Sequence, residues 1–88
     1  MYDSEISEEL VEKMKKLSKK DKSLYEQLLK KISEIVNTYD VMHYKNLRYN
    51  MKDSKRVHIG HFVLIFRCIK QTNTILFDDY DHHDVVYH

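Results

Sequence analysis

The first forty residues carry apolar side chains at the spacing of amphipathic helices. Steps of three and four residues separate the apolar positions, which puts them along one side of a helix. The first stripe comprises Ile6, Leu10, Met14 and Leu17, and the second comprises Leu24, Leu28, Ile32 and Ile35. Asp3 or Ser4 can cap the first helix, and Asn37 can end the second in the left-handed conformation that asparagine tolerates. A short polar break at 18–21 predicts that the two helices pair as an antiparallel hairpin.

The second half of the chain shows the apolar spacing of β-strands. Residues 56–59 alternate polar and apolar side chains, which is typical of a strand with one solvent-facing side. Residues 62–66 form a continuous apolar run, and residues 74–77 form a third β-rich segment. Residues 60–61 and the polar 70–73 segment provide the turns. We therefore predict an α+β fold in which the N-terminal helical hairpin packs on a twisted antiparallel sheet of three to four strands.

Composition places the chain among small soluble globular proteins. Its 88 residues suffice for one domain, expected to span 1–88, and 42% of them are hydrophobic while 33% are charged. No apolar run approaches the roughly 20 residues of a membrane-spanning helix, and the acidic N-terminus lacks the apolar core of a signal peptide. The single cysteine, Cys68, excludes an internal disulfide, so we expect a cytoplasmic protein.

Charge is segregated along the chain, although the formal net charge is only +1. Residues 1–42 contain eight lysines and nine acidic residues, whereas residues 43–70 contain seven basic residues and one aspartate. Residues 71–88 contain four aspartates and no lysine or arginine. Every arginine lies in the second half, and arginine is the residue suited to bidentate phosphate contacts. The middle region thus predicts a surface for nucleic acid, the alternative being that its cations only solubilise an exposed sheet face.

Strand alternation indicates where the candidate chemistry lies. Arg56 and His58 project from the opposite side of their strand to Val57 and Ile59. Because the apolar pair is expected to face the helices, the basic pair is expected on the side of the sheet away from them. Arg67, at the far end of the next predicted strand, can join that side. The pattern therefore predicts a basic surface that carries an imidazole.

Four segments, in this order, resemble the RelE/ParE toxin superfamily and most closely the archaeal RelE-type toxins. They are Tyr44-Lys45-Asn46-Leu47-Arg48, Lys55-Arg56-Val57-His58-Ile59-Gly60, Phe62-Val63-Leu64-Ile65-Phe66 and His82-His83-Asp84-Val85-Val86-Tyr87. The resemblance covers residues 5–87 and implies a helical hairpin on a twisted antiparallel sheet. Bacterial members often carry Lys-x-Lys where this chain has Arg56 and His58, and an arginine where it has Val63. The chain is therefore similar to the histidine-using branch of the family.

The resemblance implies a ribosome-dependent endoribonuclease, or mRNA interferase. RelE-like toxins of type II toxin–antitoxin systems cut mRNA in the ribosomal A site without a metal ion or other cofactor. The 2′-hydroxyl attacks the neighbouring phosphorus, so the site needs a base, an acid and cations for the phosphate charge. The implied partners are the ribosome, mRNA and a RelB-like antitoxin in a hetero-oligomer, with no membrane association.

Residues in and around the matching segments are candidates for these roles. The candidate catalytic residues are Arg48, Arg56, His58, His82 and Tyr87. The candidate RNA-binding residues are Lys45, Lys52, Lys55, Arg67 and His83. Histidine titrates near neutral pH and can exchange a proton with the sugar hydroxyl or the leaving oxygen, and which histidine is the base stays open. For each residue the alternative is an ordinary surface role, and for Arg67 it is an ion pair with Asp78 or Asp79.

Two other functions stay open on the sequence alone. ParE-like relatives share the fold and poison DNA gyrase by binding it, without nuclease chemistry. The second alternative is an inactive relative that only binds RNA. A metal site in the C-terminal segment is not expected, because the adjacent His82 and His83 point to opposite sides of a strand.

Overall fold

The protein combines two helices with a four-stranded sheet, which confirms the predicted α+β fold class. The computed structural model describes residues 2–37 and 54–83. The strands are Asp3–Ile6 (β1), Ser54–Ile59 (β2), Phe62–Ile69 (β3) and Thr74–His82 (β4). The helices are Glu8–Lys20 (α1) and Lys22–Val36 (α2). Within the described part of the chain, neither helix has both the length and the apolar character that crossing a membrane requires.

The two helices form the predicted hairpin and are separated by Asp21 alone. Ser7 caps α1, because its hydroxyl accepts a hydrogen bond from the backbone N–H of Leu10 at 3.1 Å. Asp21 caps α2 in the same way through the backbone N–H of Leu24, also at 3.1 Å. Each cap satisfies one of the N–H groups that the first turn of a helix leaves without an intrahelical partner.

Helix α2 ends at Asn37 without the left-handed residue that the sequence predicted there. The backbone φ of Asn37 is −94°, so this part of the prediction is wrong. The side-chain amide of Asn37 donates to the carbonyl of Ser33 at 2.9 Å, and its backbone N–H donates to the same carbonyl at 3.1 Å. These two bonds close the last turn of the helix, which removes the need for a left-handed cap.

The N-terminal strand β1 is the element that the apolar pattern missed. All four residues of Asp3–Ile6 are exposed, so no alternation marks them as a strand. Pairing with β4 creates the strand, and β1 runs parallel to the first half of β4. The predicted helix caps Asp3 and Ser4 are therefore wrong, and Ile6 belongs to β1 and not to the first helical stripe. The sheet, in the order β1-β4-β3-β2, is mixed and not wholly antiparallel.

Strands β2, β3 and β4 form the predicted antiparallel meander. Gly60 (φ 61°) and Asn73 (φ 53°) lie at the two turns, in the left-handed region that these two residue types tolerate. The register of β3 against β4 shifts between Ile65 and Phe66, where β4 carries one extra residue, Asp78. Such a bulge increases the local twist of a sheet.

One face of the sheet packs against the helices to form the hydrophobic core. Its fully buried members are Leu10, Leu28, Ile35, Leu64, Phe66, Ile75 and Phe77. Val57 packs against this core and Ile59 belongs to it, so β2 directs these two side chains toward the helices. We call this side of the sheet the helix face and the opposite side the distal face. Arg56 and His58 alternate with Val57 and Ile59 and therefore project from the distal face.

Lys13 ties α1 to the part of β4 that extends beyond β1. Its ammonium donates to Asp79 at 2.7 Å, to Asp81 at 3.1 Å and to the carbonyl of Tyr80 at 3.2 Å. Burial lowers the pKa of the Lys13 ammonium, but the two carboxylates outweigh burial and leave the pKa above its ordinary value of 10.5. The backbone N–H of His82 holds the pKa of Asp81 below its ordinary 3.8 against the effect of burial, and Lys13 lowers it further.

We expect Lys13→Met to lower the free energy of unfolding by less than about 1 kcal/mol at neutral pH, because the bridge is more than a third exposed at Lys13 and water screens it. The depressed pKa of Asp81 stabilises the fold above the unfolded value of 3.8, and this contribution is lost as the pH falls through the folded pKa. The raised pKa of Lys13 stabilises the fold below 10.5, and this contribution is lost as the pH rises through the folded pKa.

Urea unfolding at about pH 3 and about pH 7 measures the free energy of unfolding and tests this expectation. The difference between wild type and Lys13→Met is expected at neutral pH and shrinks in acid. Lys15→Met is the control, because Lys15 makes only a 3.7 Å contact with Glu12 and both side chains are exposed. Equal losses in the two variants, or a difference that grows in acid, would contradict the expectation.

Candidate functional site

Two basic side chains of β2 lie together on the distal face. In the ladder between β2 and β3, Arg56 is opposite Ile65 and His58 is opposite Val63. His58 is exposed, whereas Arg56 is half-buried. Arg56 Nη1 lies 3.4 Å from His58 Nε2. The structure thus places this pair on the side of the sheet that strand alternation predicted, and His58 lies at the edge of the sheet where β2 adjoins α2.

The contact between Arg56 and His58 has a consequence for protonation. An arginine side chain has donors and no acceptor, so this contact favours the form of His58 in which Nε2 carries no proton. In that form the imidazole is neutral and its proton lies on Nδ1. The neutral form is the one that can take up a proton, which is what a general base does.

The residue that follows β4 adds one histidine to this group, whereas the last residue of β4 lies apart from it. The ring centroid of His83 lies 5.4 Å from that of His58, with the ring planes 29° apart. His82 instead meets Phe62 edge to face, at 5.4 Å between centroids. Phe62 packs against the helix-face core, so the contact with Phe62 places His82 toward that side of the sheet. Of the two predicted histidines, His83 is therefore the one beside His58. We call Arg56, His58 and His83 the distal cluster.

Lys55 lies apart from the distal cluster. It is opposite Phe66, on the helix face, and only 5% of it is exposed. The sequence assigned Lys55 to RNA binding, but its burial on the helix face removes it from the surface that carries Arg56. The alternation of side chains along β2 could have predicted this position, because it places Lys55 on the same side of the strand as Val57.

Arg67 takes the alternative that the sequence left open for it. Its guanidinium makes a bidentate ion pair with Asp78, Nε to Oδ2 at 2.8 Å and an Nη to Oδ1 at 3.1 Å. Arg67 lies opposite Ser54, four positions along β3 from the partner of His58. That separation corresponds to roughly 13 Å along the strand. Arg67 is therefore distant from His58, although it lies only two positions along β3 from the partner of Arg56, and it already holds a carboxylate.

The other candidate residues belong to segments of which the structure gives no description. Lys45, Arg48, Lys52 and Tyr87 lie outside the described residues, and their roles stay predictions. Within residues 2–37 and 54–83, no three His, Cys, Asp or Glu side chains are placed to hold a metal ion.

A polar groove adjoins His58, between α2 and the turn that joins β2 to β3. Its volume is about 300 Å³, and it is lined by Gln27, Lys30, Lys31, Glu34, His58, Ile59 and Gly60. Lys31 makes an ion pair with Glu34 at 2.9 Å, and hydrogen bonding to Lys31 holds the pKa of Glu34 below its ordinary value. Sequence reasoning missed this groove, because its lysines lie in the nearly neutral first half of the chain. Only the tertiary contact between α2 and β2 brings them beside His58.

No protein-family model matches the chain. A curated protein of Methanocaldococcus jannaschii that carries the provisional name toxin RelE4 is 47% identical over 88 residues, covering 99% of this chain and 92% of the relative. A chain of the intact E. coli RelBE toxin–antitoxin complex matches with a TM-score of 0.76 at 20% identity, covering 93% of this chain and 96% of that chain. A chain of the archaeal RelE–RelB complex from Pyrococcus horikoshii matches with a TM-score of 0.70 at 16% identity, covering 93% and 94%. At these identities the two solved structures show a shared fold.

Proposed function

Since this chain belongs to the RelE toxin family and is a toxin of a toxin–antitoxin system, we propose that it is an endoribonuclease that cuts mRNA in the ribosomal A site. The observation that carries this proposal is the distal cluster, in which a guanidinium and two imidazoles share one side of the sheet. A proton acceptor, a proton donor and a cation are the groups that phosphodiester cleavage by the RNA's own hydroxyl requires.

The proposed mechanism gives each residue of the distal cluster one task. His58, as the neutral imidazole, accepts the proton of the attacking 2′-hydroxyl while a bond forms between O2′ and phosphorus. The bond between phosphorus and O5′ breaks, and His83 donates a proton to the departing O5′. Arg56 stabilises the negative charge on the phosphate oxygens in the transition state. The products are a 2′,3′-cyclic phosphate and a 5′-hydroxyl, and the mechanism needs no metal ion because the RNA supplies the nucleophile.

The ribosome completes this small site. Three side chains can transfer protons and neutralise charge, but they do not by themselves hold a flexible RNA strand with its 2′-oxygen in line with the leaving oxygen. A bound codon that already has this geometry converts the reaction into an effectively intramolecular one. Arg48 and Tyr87 are proposed to contact the substrate, and Lys45 and Lys52 to add phosphate affinity. The protein would therefore act in the cytoplasm, where mRNA is translated.

A RelB-like antitoxin is the proposed silencing partner. The E. coli and Pyrococcus horikoshii neighbours are both from toxin–antitoxin complexes, which supports a partner of this kind. An antitoxin with acidic residues would meet the guanidinium and imidazoles of the distal cluster. A partly disordered chain that folds as it binds can cover both this face and the helices. We therefore propose a hetero-oligomer in which the bound antitoxin excludes RNA.

Primer extension on translating ribosomes tests the proposed function. Wild-type protein is expected to cut the codon in the A site and to leave the same mRNA intact when ribosomes are absent. A gyrase supercoiling assay run in parallel tests the ParE-like alternative. Inhibited supercoiling with uncut mRNA would favour that alternative. Intact mRNA with normal supercoiling would favour an inactive RNA-binding relative.

A further inference from the structure

We propose that the polar groove between α2 and the β2–β3 turn binds a phosphodiester of the same RNA strand, one that flanks the scissile phosphate. The inference rests on the proposed function, because it extends the substrate path from the distal cluster. His58 belongs to both places: it lies in contact with Arg56 and beside His83, and it also lines the groove. A strand that has its scissile phosphate at His58 therefore reaches the groove without crossing another of the described helices or strands.

The chemistry of the groove walls favours a phosphate. Lys30 and Lys31 provide two ammonium groups and Gln27 provides an amide, whereas Glu34 is the single carboxylate among the described residues of the lining. Lysine ammonium groups are the usual sequence-independent partners of nucleic-acid phosphates. The walls therefore carry a net positive charge before the imidazole of His58 is counted.

Lys31 is already paired with a carboxylate, and this pair does not exclude a phosphate. Its side chain is 31% exposed, and its ammonium is held by Glu34 one helical turn further on. An ammonium has three donors, so Lys31 can keep Glu34 and still donate to a phosphate oxygen.

The mouth of the groove is open on the side of the turn. Gly60 forms that rim, and a Cβ built there would meet no atom within 4 Å. Among the described residues, none therefore fills the space next to Gly60 at this rim. Polar walls and an open rim suit a hydrated, charged strand and not the apolar side of a protein helix.

Anisotropy with uncleavable RNA tests the groove directly. The probes are 2′-O-methyl oligouridylates of three and of six nucleotides at about 50 mM salt. We expect wild type to bind the hexamer about tenfold more tightly than the trimer, because only the hexamer spans the cluster and the groove. The Lys30→Gln/Lys31→Gln double variant is expected to lose most of this gain and to keep its trimer affinity within about twofold.

The salt dependence of RNA affinity provides a second measurement. It would not change if Lys30 and Lys31 had only a structural role. Each phosphate contact that is lost lowers the slope of log affinity against log salt by about 0.7 for a single strand. The control is Lys15→Gln/Lys19→Gln, which makes the same change of charge on α1, away from the groove. The control is expected to keep the wild-type slope and hexamer affinity. Thermal melts establish that both double variants are folded.

A substitution that removes a negative charge from the groove, and not a positive one, completes the test. Glu34→Gln removes the carboxylate that repels a phosphate, so it is expected to strengthen hexamer binding about two- to threefold. Weaker binding by this variant would overturn the proposal, because Glu34 would then assist the ligand and not repel it.

Three further results would overturn the proposal. One is a wild type that gains nothing from the longer RNA. Another is a Lys30→Gln/Lys31→Gln variant whose hexamer affinity and salt slope equal those of the control, as expected if the groove takes an acidic protein segment. The third is a Lys30→Gln/Lys31→Gln variant that loses the same factor of affinity for the trimer as for the hexamer. Lysine-dependent hexamer binding by a protein that does not cut mRNA on ribosomes would contradict the proposed function and leave the groove assignment intact.

Discussion

His58→Ala is expected to slow cleavage in the A site by about 10²- to 10⁴-fold, the range over which a positioned acid or base contributes to catalysis. The reason is specific to this side chain. The contact with Arg56 favours a neutral imidazole at His58, and this imidazole is the group proposed to take the proton of the 2′-hydroxyl. Because His58 is exposed, its removal should leave the thermal midpoint within about 2 °C of wild type.

The matched control is His61→Ala. His61 is an exposed histidine in the turn after β2, so the substitution deletes the same chemical group a short distance from the distal cluster. It is expected to cut ribosome-bound mRNA at the wild-type rate in a single-turnover assay. Equal rates for His58→Ala and wild type would remove His58 from the mechanism. An equal loss in His61→Ala would show that the assay reports something other than the cluster.

The two C-terminal histidines can be separated by the same assay. His83→Ala is expected to be the slower variant, because His83 lies beside His58 whereas His82 packs on Phe62. Rates are compared per folded molecule, since His82→Ala also removes a packing contact. A greater loss in His82→Ala would assign the acid to the helix side of the sheet and contradict the proposed mechanism.

Leu28→Ala is expected to lower the free energy of unfolding by about 2 to 5 kcal/mol, the cost of a cavity left by a fully buried leucine. A chain of 88 residues has a total stability of roughly 4 to 13 kcal/mol, so the loss is a large part of it. In a domain of this size the thermal midpoint should fall by at least about 10 °C. Thermal and urea unfolding measure both effects.

Leu29→Ala is the control for this prediction. Leu29 follows Leu28 on the same helix, and its change to alanine deletes the same atoms. However, 40% of Leu29 is exposed. Its removal is expected to cost less than about 1 kcal/mol, because little apolar surface leaves the core. Similar losses for the two leucines would mean that α2 does not bury the face that the structure assigns to it.

The helical hairpin could be predicted from the sequence because its evidence is local. Leu10 and Met14 in α1, and Leu28 and Ile35 in α2, repeat at the helical period, and these are the residues that the core buries. The turn at Gly60 was equally predictable, because a left-handed residue was needed and glycine supplies it. Patterns of this kind depend only on near neighbours in the chain.

Strand β1 could not be predicted in this way. Its four residues are exposed, and the pairing that makes them a strand joins residues about seventy positions apart. Backbone hydrogen bonds, such as that from the N–H of Asp3 to the carbonyl of Asn73 at 3.1 Å, hold it. Backbone pairing of this kind leaves no trace in side-chain periodicity.

The candidate site was predictable in part for a related reason. Alternation within β2 was enough to place Arg56 and His58 on one side. For His82 and His83, alternation predicts only that they point to opposite sides. The register that sets His82 opposite Phe62 decides which of them faces His58, and that register depends on the length of the turn and on the bulge in β4.

Cleavage of a programmed ribosome whose mRNA has one 2′-deoxynucleotide at the scissile position tests the central claim most directly. The distal cluster is proposed to activate the RNA's own hydroxyl, so wild type should cut the all-ribose codon and leave a 2′,3′-cyclic phosphate, and it should not cut the deoxy codon. Equal cutting of both templates, or an all-ribose codon that stays intact, would contradict the claim.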